Sequence, residues 1–415
     1  MGIGLCTLLP TLTAQGNTLH YQLDGAAVGD QFGYAVARLA DIDGDGFGDF
    51  VVTAPYADPG GLVDAGSAFV YSGAAGTLLH TYHGATAGDR LGMSLANIGD
   101  ADGDGFDDFT IGAPFADING LVDNGGTYTY SGATGLLIRQ FRGFFNDGQH
   151  GRSVSWVGDM DQDGKMDFLA SEPNANPQSN GLSLGNVKIY SPARGTAFFT
   201  MTTSYHFGDQ VASAGDINGD GVNEIFARNA YYGFGSPRNL RIFRGDDGST
   251  LIGVSDSGEA MDQARLSFAR LGDLNQDGFP DFAVGSEAAG SLGTNRGVAN
   301  FYSGLTMNPI RHFSGPNDYD YYGTSVAGNA DLNADGVLDF GLAVGGTFLG
   351  ATNRIQVHSG VNSNLLFEIH GSDGFGSALD FLADVDGDGL GDVAVGSPLA
   401  SPGGLSSAGT LSVYR

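Results

Sequence analysis

Three observations predict an all-β chain, a seven-bladed β-propeller of four-stranded antiparallel blades. A nine-residue acidic loop recurs seven times in phase, a short apolar run follows each copy, and Gly supplies 70 of 415 residues. The loops begin at Asp41, Asp100, Asp159, Asp216, Asp273, Asp331 and Asp384, about 57 residues apart. A fixed period of that length is the signature of repeat architectures. The Gly content lacks the triplet period of collagen and fits many tight turns between short strands.

In the first loop, positions 1, 3, 5, 7 and 9 are Asp41, Asp43, Asp45, Phe47 and Asp49. The second has Asp100, Asp102, Asp104, Phe106 and Asp108; the third has Asp159, Asp161, Asp163, Lys165 and Asp167. The fourth has Asp216, Asn218, Asp220, Val222 and Glu224; the fifth has Asp273, Asn275, Asp277, Phe279 and Asp281. The sixth has Asp331, Asn333, Asp335, Val337 and Asp339; the seventh has Asp384, Asp386, Asp388, Leu390 and Asp392. Alternate side chains at positions 1, 3 and 5 converge on one point as the backbone turns, and position 9 closes the shell. Position 7 offers its carbonyl whatever its side chain. A hard cation taking roughly six to eight oxygen ligands suits this pattern, so the loops predict up to seven Ca²⁺ ions. Position 2 is apolar in every copy (Ile42, Ala101, Met160, Ile217, Leu274, Leu332, Val385) and is expected to point inward. The third, fourth and sixth loops depart most, with Gln162 and Ala334 at position 4 and Glu224 at position 9. A plain Asx-rich turn would explain one isolated copy. Seven copies in phase argue against it.

The loops resemble the start of an EF-hand, which also needs a Glu at position 12 and flanking helices. Position 12 is Val52, Ile111, Ala170, Ala227, Val284, Leu342 and Val395, each within a short apolar run that reads as a buried strand. The helical alternative fails. Positions 1, 3, 5 and 9 carry 25 of the 47 Asp and Glu residues. Seven divalent ions would bring the net charge of −29 to −15, so metal is expected to relieve self-repulsion. Only 18 Lys and Arg are present, without a basic stripe, which excludes nucleic acid as a partner. A single Cys excludes a disulfide framework.

The strands follow in order. The first repeat runs Phe32–Ala37, the loop at Asp41, Phe50–Thr53 ending at Ala54-Pro55, Ser67–Gly73, then Thr77–Gly84. The second runs Leu91-Gly92, Asp100–Asp108, Ala113-Pro114, Thr127–Gly132 and Leu136–Gly143. The chain stops at Gly409–Arg415, which matches a third strand, while Leu19–Gly25 matches a fourth with nothing before it. The N-terminal strand is therefore expected to complete the last blade and remove two open edges.

An aromatic-Gly pair stands nine residues before the first Asp at Phe32-Gly33, Phe207-Gly208, Tyr322-Gly323 and Phe375-Gly376, with Leu91-Gly92 and His150-Gly151 as variants. A turn stands fourteen residues after it at Ala54-Pro55, Ala113-Pro114, Glu172-Pro173 and Ser397-Pro398. Together they resemble the FG-GAP repeat of the integrin α head and of bacterial secreted proteins. Repeats four, five and six depart, with Arg228-Asn229, Ser286-Glu287 and Gly345-Gly346 at the turn and Ala264-Arg265 at the fifth pair, so irregular strand ends are expected there. The resemblance covers residues 17–415, read as one domain. It implies that the face opposite the calcium loops contacts partners.

Residues 1–16 read as a secretory-signal-like or disordered leader. No stretch of about 20 apolar residues exists, so no membrane span is expected. The reading is a secreted or cell-surface calcium-binding adhesion or protein-interaction module, expected to be a monomer, its calcium structural. Its ligand, protein or glycan, is expected on long loops such as Pro55–Gly66, Pro114–Gly126, Pro173–Gly185 and Pro398–Gly409. Candidate contacts are Asp58, Asp64, Asp117, Asp123 and Asn317–Tyr322. No hydrolase elbow or His-Glu-x-x-His motif occurs, which points away from an enzyme. The alternative is a carbohydrate-binding propeller or a propeller-fold polysaccharide lyase.

Overall fold

The computed structural model describes residues 18–175, 184–229, 240–254, 266–287, 289, 294–345, 353–371 and 373–415. The leader, the Ala264-Arg265 pair and part of the Pro173–Gly185 loop lie outside them. Seven four-stranded antiparallel sheets form the predicted ring. Strand β1 is Leu19–Asp24. Blade 1 is β2 (Val36–Leu39), β3 (Asp49–Ala54), β4 (Ser67–Ser72) and β5 (Thr77–His83). Blade 2 is β6 (Ser94–Gly99), β7 (Asp108–Ala113), β8 (Gly126–Tyr130) and β9 (Leu137–Arg142). Blade 3 is β10 (Val154–Gly158), β11 (Asp167–Glu172), β12 (Leu184–Ser191) and β13 (Thr196–Tyr205). Blade 4 is β14 (Phe207–Gly215), β15 (Glu224–Asn229), β16 (Leu240–Phe243) and β17 (Thr250–Val254). Blade 5 is β18 (Leu266–Arg270), β19 (Phe282–Ser286), β20 (Val298–Tyr302) and β21 (Pro309–Ser314). Blade 6 is β22 (Tyr322–Ala330), β23 (Asp339–Val344), β24 (Arg354–His358) and β25 (Leu365–His370). Blade 7 is β26 (Ala378–Leu382), β27 (Asp392–Ser397) and β28 (Thr410–Tyr414), completed by β1.

The expected closure is present: Tyr21 pairs with Val413 and Leu23 with Leu411, antiparallel. Thr18 and Arg415 exchange backbone hydrogen bonds at 3.2 and 3.0 Å. One boundary differs from expectation. Strand β2 starts at Val36 rather than at Phe32, because Gly33 has φ 83°, outside the strand region. A Cβ on Gly33 would strike the Thr410 carbonyl of the neighbouring blade. The aromatic-Gly pair is therefore an inter-blade joint: Phe32 bridges Gly409, Leu91 bridges Gly66, and His150 bridges Gly125.

The core sits between blades, in seven apolar clusters that each span one seam. Phe32, Phe50 and Val52 of blade 1 pack with Leu411 and Val413 of blade 7. Leu39 and Val51 of blade 1 pack with Phe109 and Ile111 of blade 2. Second strands touch a neighbour on both faces, which is why β3, β7, β11, β23 and β27 are buried along their full length. That explains their continuous apolar pattern in place of alternation. Around the channel, inner-strand hydroxyls tie one blade to the next. Ser94 Oγ donates to Gly151 O at 2.7 Å, Ser267 Oγ to Gly323 O at 2.9 Å, and Ser325 Oγ to Gly376 O at 2.7 Å.

Candidate metal centres

Every acidic loop joins the first strand of a blade to the second, so all seven lie on one face of the ring. The backbone of each is shaped by its own carboxylates. Asp41 Oδ1 accepts from the N–H groups of Gly44 and Asp45 at 2.7 and 3.1 Å, and Asp41 Oδ2 from Gly46 at 2.8 Å. Asp43 Oδ1 accepts from Asp45 N–H at 3.0 Å, and Asp45 Oδ1 from Phe47 N–H at 2.9 Å. The second loop repeats this with Asp100, Asp102 and Asp104. The same position 1 to position 6 bond recurs at Asp159, Asp216, Asp273, Asp331 and Asp384. Position 4 is left-handed, with φ 59° at Gln162, 61° at Gln276 and 58° at Ala334. A non-Gly residue there carries a steric cost that Gly44 and Gly103 avoid.

Position 9 is the buried floor. Asp49, Asp108, Asp167, Glu224 and Asp281 are fully buried, and Asp339 and Asp392 nearly so. Asp49 Oδ2 accepts from Ile42 N–H at 2.8 Å while its Oδ1 accepts from Gly73 N–H, beyond the third strand, at 3.0 Å. Burial pushes these carboxyls up, Asp49 and Asp339 to about 6 and Asp108, Asp167, Glu224 and Asp392 to about 7; backbone N–H donors oppose the shift and neighbouring acids add to it. In blade 3 the residue equivalent to Gly73 is Pro192, which has no N–H to give Asp167. Position 2 is inward as expected: Ile42, Ala101, Ile217, Leu274, Leu332 and Val385 are buried, and Met160 packs on the blade 3–4 cluster. Val385 of blade 7 lies against Gly73 of blade 1, and Ile42 against Gly132 of blade 2.

The carboxylates converge most fully in four loops. Ligand oxygens of Asp41, Asp43 and Asp45 lie within 4.8 Å of one another, as do those of Asp100, Asp102 and Asp108, of Asp159, Asp161 and Asp167, and of Asp384, Asp386 and Asp392. A cluster of three anionic oxygens is a donor set for a hard cation such as Ca²⁺. Loops four to six carry Asn at position 3, whose amide nitrogens turn to neighbouring acids. Asn218 Nδ2 donates to Glu224 at 2.7 Å and Asn275 Nδ2 to Asp277 at 2.9 Å. For position 7, the N–H groups of Phe106, Lys165, Val222, Phe279, Val337 and Leu390 all donate to the position 5 carboxylate. The Lys165 ammonium reaches across to the Asp102 carbonyl of blade 2.

Sequence reasoning missed two groups. One is the Ser that closes the third strand: Ser72 Oγ donates to Asp45 Oδ2 at 3.0 Å and Ser303 Oγ to Asp277 Oδ2 at 2.8 Å. Its signal was the recurrent Tyr71-Ser72-Gly73, Tyr130-Ser131-Gly132 and Tyr302-Ser303-Gly304, read only as a strand end. The other is a set of arginines. Arg194 lies 2.8 Å from Asp161 and 3.6 Å from Asp163, Arg244 lies 2.8 Å from Asp220, and Arg415 lies 3.5 Å from Asp386.

The FG-GAP repeat model matches residues 32–71 and 375–414, the aromatic-Gly joint through the third strand of blades 1 and 7. The chain is a seven-bladed β-propeller with FG-GAP repeats in blades 1 and 7, similar to the N-terminal part of integrin α chains. Integrin alpha-V of Gallus gallus is 31% identical to the propeller over 235 residues, 49% of this chain and 21% of the relative. Integrin alpha-3 of Cricetulus griseus is 39% identical over 126 residues, 28% of this chain and 11% of the relative. Integrin alpha-PS2 of Drosophila melanogaster is 32% identical over 123 residues, 27% and 8% respectively. The propeller thus matches about a tenth to a fifth of these relatives' lengths. Among the described residues, no helix is long and apolar enough to cross a membrane.

Proposed function

We propose that the FG-GAP propeller is an extracellular adhesion or protein-interaction module whose seven loops hold structural Ca²⁺. Asp and Asn side chains at positions 1, 3 and 5, the position 7 carbonyl and the buried position 9 acid would hold each ion. When bound, the ion supplies charge neutralisation that pins two strands of a blade together. The module's task is binding rather than catalysis, and it lies on the opposite face.

One observation carries that placement. The loops between second and third strands of the adjoining blades 7, 1 and 2 expose Leu405, Leu62, Val63 and Val122 beside Asp58, Asp64, Asp117 and Asp123. The loops are pre-shaped: Asp64 N–H donates to Asp58 at 2.8 Å, Asp123 N–H to Asp117 at 2.7 Å, and Arg90 sits between the rings of Tyr56 and Phe115 at 5.0 and 4.9 Å. Exposed apolar groups on a rigid, acid-rimmed surface fit a protein partner.

Calorimetric titration of the chelated protein with Ca²⁺ should show several saturable equivalents, and elemental analysis should find calcium in protein purified without chelator. Absence of both would remove the metal reading. Capture of a protein partner from the native surroundings should be lost in a Val63→Asp/Val122→Asp variant with an unchanged melt. Specific glycan-array binding without such capture would favour the carbohydrate alternative.

A further inference from the structure

The seam between blades 2 and 3 is filled differently from the seams that blade 1 forms with blades 7 and 2. In blade 1 the joint residue, the last residue of the second strand and the middle residue of the third are Phe32, Ala54 and Phe69; in blade 2 they are Leu91, Ala113 and Tyr128. In blade 3 all three become polar: His150, Glu172 and Lys188. His150 and Glu172 are fully buried and Lys188 is 8% exposed. Lys188 Nζ lies 3.1 Å from Glu172 and 4.9 Å from the Phe144 ring centre, and Glu172 accepts from Phe144 N–H at 3.1 Å. Burying such a pair contributes less stability than the apolar residues that blades 1 and 2 place there. Ring stability alone gives no reason for the change.

The same seam opens outward into a cleft of about 620 Å³, within the usual range for a small-molecule site. Phe141, Phe144 and Tyr190 give it aromatic walls, and Gln140, Arg142 and Lys188 its polar groups. Blade 1 shows why it is open. There Tyr82, the counterpart of Phe141, seals its seam by donating from its hydroxyl to Gly135 O at 3.0 Å. Phe141 has no hydroxyl to do the same. Two polar groups at the cleft lack partners. Among the described residues, the buried Tyr190 hydroxyl has no hydrogen-bond partner and Arg142 pairs with no carboxylate, its guanidinium lying 5.3 Å from the Phe144 ring centre. In a chain with 47 acids and 18 Lys and Arg, two of the cations line this cleft and no acid does.

We propose that this lateral cleft binds a small organic anion with a flat apolar body, an aryl carboxylate, whose carboxylate meets Arg142 and the Tyr190 hydroxyl while its ring lies against Phe141 and Phe144. Lys188, neutralised by Glu172, holds Phe144 in place and leaves Arg142 as the net charge of the cleft. An arginine fork and a phenol donor recognise a carboxylate by charge-assisted hydrogen bonds, and an aromatic wall accepts a flat ring. The proposal is independent of the calcium and partner readings, which concern the two faces of the ring.

The test titrates the full chain, kept in Ca²⁺, with benzoate, phenylacetate and indole-3-acetate, and with neutral phenylacetamide, by calorimetry and saturation-transfer NMR. At least one carboxylate should bind saturably at submillimolar concentration. Phenylacetamide should bind about tenfold more weakly, as should every carboxylate to Arg142→Gln, the loss of one charge-assisted contact. Ala197→Phe, on the cleft wall, should abolish binding while the melt of both variants stays unchanged. The proposal falls if none of the three carboxylates binds at millimolar concentration, if the amide binds equally well, or if Arg142→Gln leaves affinity intact.

Discussion

Blades 1 and 3 share strand order and acidic loop, yet they are held by different physics. Blade 1 seals its seam with Phe32, Phe69 and Tyr71, rings 5.6 to 6.5 Å apart. Blade 3 has His150 and Lys188 in the places of Phe32 and Phe69, with Glu172 where blade 1 has Ala54, and its acidic loop has an arginine beside it where the first loop has no ion pair among the described residues. The backbone template thus tolerates an apolar or a charged filling, because each seam is an independent small core and a costly one is borne by six others. Blade 1 is built for stability, while blade 3 departs at the positions that open a cleft.

The largest expected effect separates the blades by metal. Chelation should cost about 2.7 kcal/mol for each site previously filled at a hundredfold its Kd. Arg194 remains as a counter-charge on Asp161 and Asp163, so hydrogen exchange after chelation should rise in β2 and β3 before β10 and β11. Simultaneous opening of both blades would break the comparison at this point. Next in size is Lys188→Met, which leaves Glu172 buried and uncompensated and should cost about 3–5 kcal/mol in denaturant melts. The matched Phe69→Met in blade 1 should cost about 1 kcal/mol, since one apolar side chain replaces another. Equal costs would mean that the pair is not charged.

Acid should also tell the blades apart. Burial, with Lys188 adding to it, holds His150 down to about 3, so it stays neutral in the folded chain while the unfolded chain takes up a proton below about 6.5. Stability is therefore lost as pH falls from that value toward 3, by about 1.4 kcal/mol per unit, or about 2 kcal/mol at pH 5. His150→Phe should remove that increment from the difference between melts at pH 7.5 and pH 5; parallel curves for the two proteins would refute the assignment. The smallest effect, about 1 kcal/mol, is expected from Ser94→Ala, which deletes the hydroxyl tie from blade 2 to Gly151 of blade 3. Blade 1 has Ala35 at that position and should be unaffected by the same logic.

The ring was legible because its signals are local and repeated. Acidic loops, aromatic-Gly joints and strand lengths recur in phase, so Asp41 predicted Asp384 and the missing fourth strand predicted β1. Position 9 was read as closing the shell; its full burial beneath the loop emerged only in the fold. What was not legible depends on residues distant in sequence. Arg194 reaches Asp161 across 33 positions, Arg244 reaches Asp220 across 24, and nothing in either local pattern marks them as partners. His150 was visible as a variant of the joint. Its meaning needed Glu172 and Lys188, which registry across three strands brings beside it. Strand β2 was drawn too long because an aromatic-Gly pair looks like strand until Gly33 is seen turning into its neighbour.

The antiparallel closure of blade 7 also has a mechanical side. Thr18 and Arg415 are hydrogen-bonded to each other, so tension applied at those two residues pulls on the strand pair from its mouth. Each hydrogen-bonded pair then carries the whole load in turn, and β1 peels from β28 residue by residue from Leu19 toward Asp24. A load entering at residue 18 and leaving through a ligand on the opposite face must instead strain the sheets of the ring together. The direction of pulling, rather than its size alone, decides whether the ring opens.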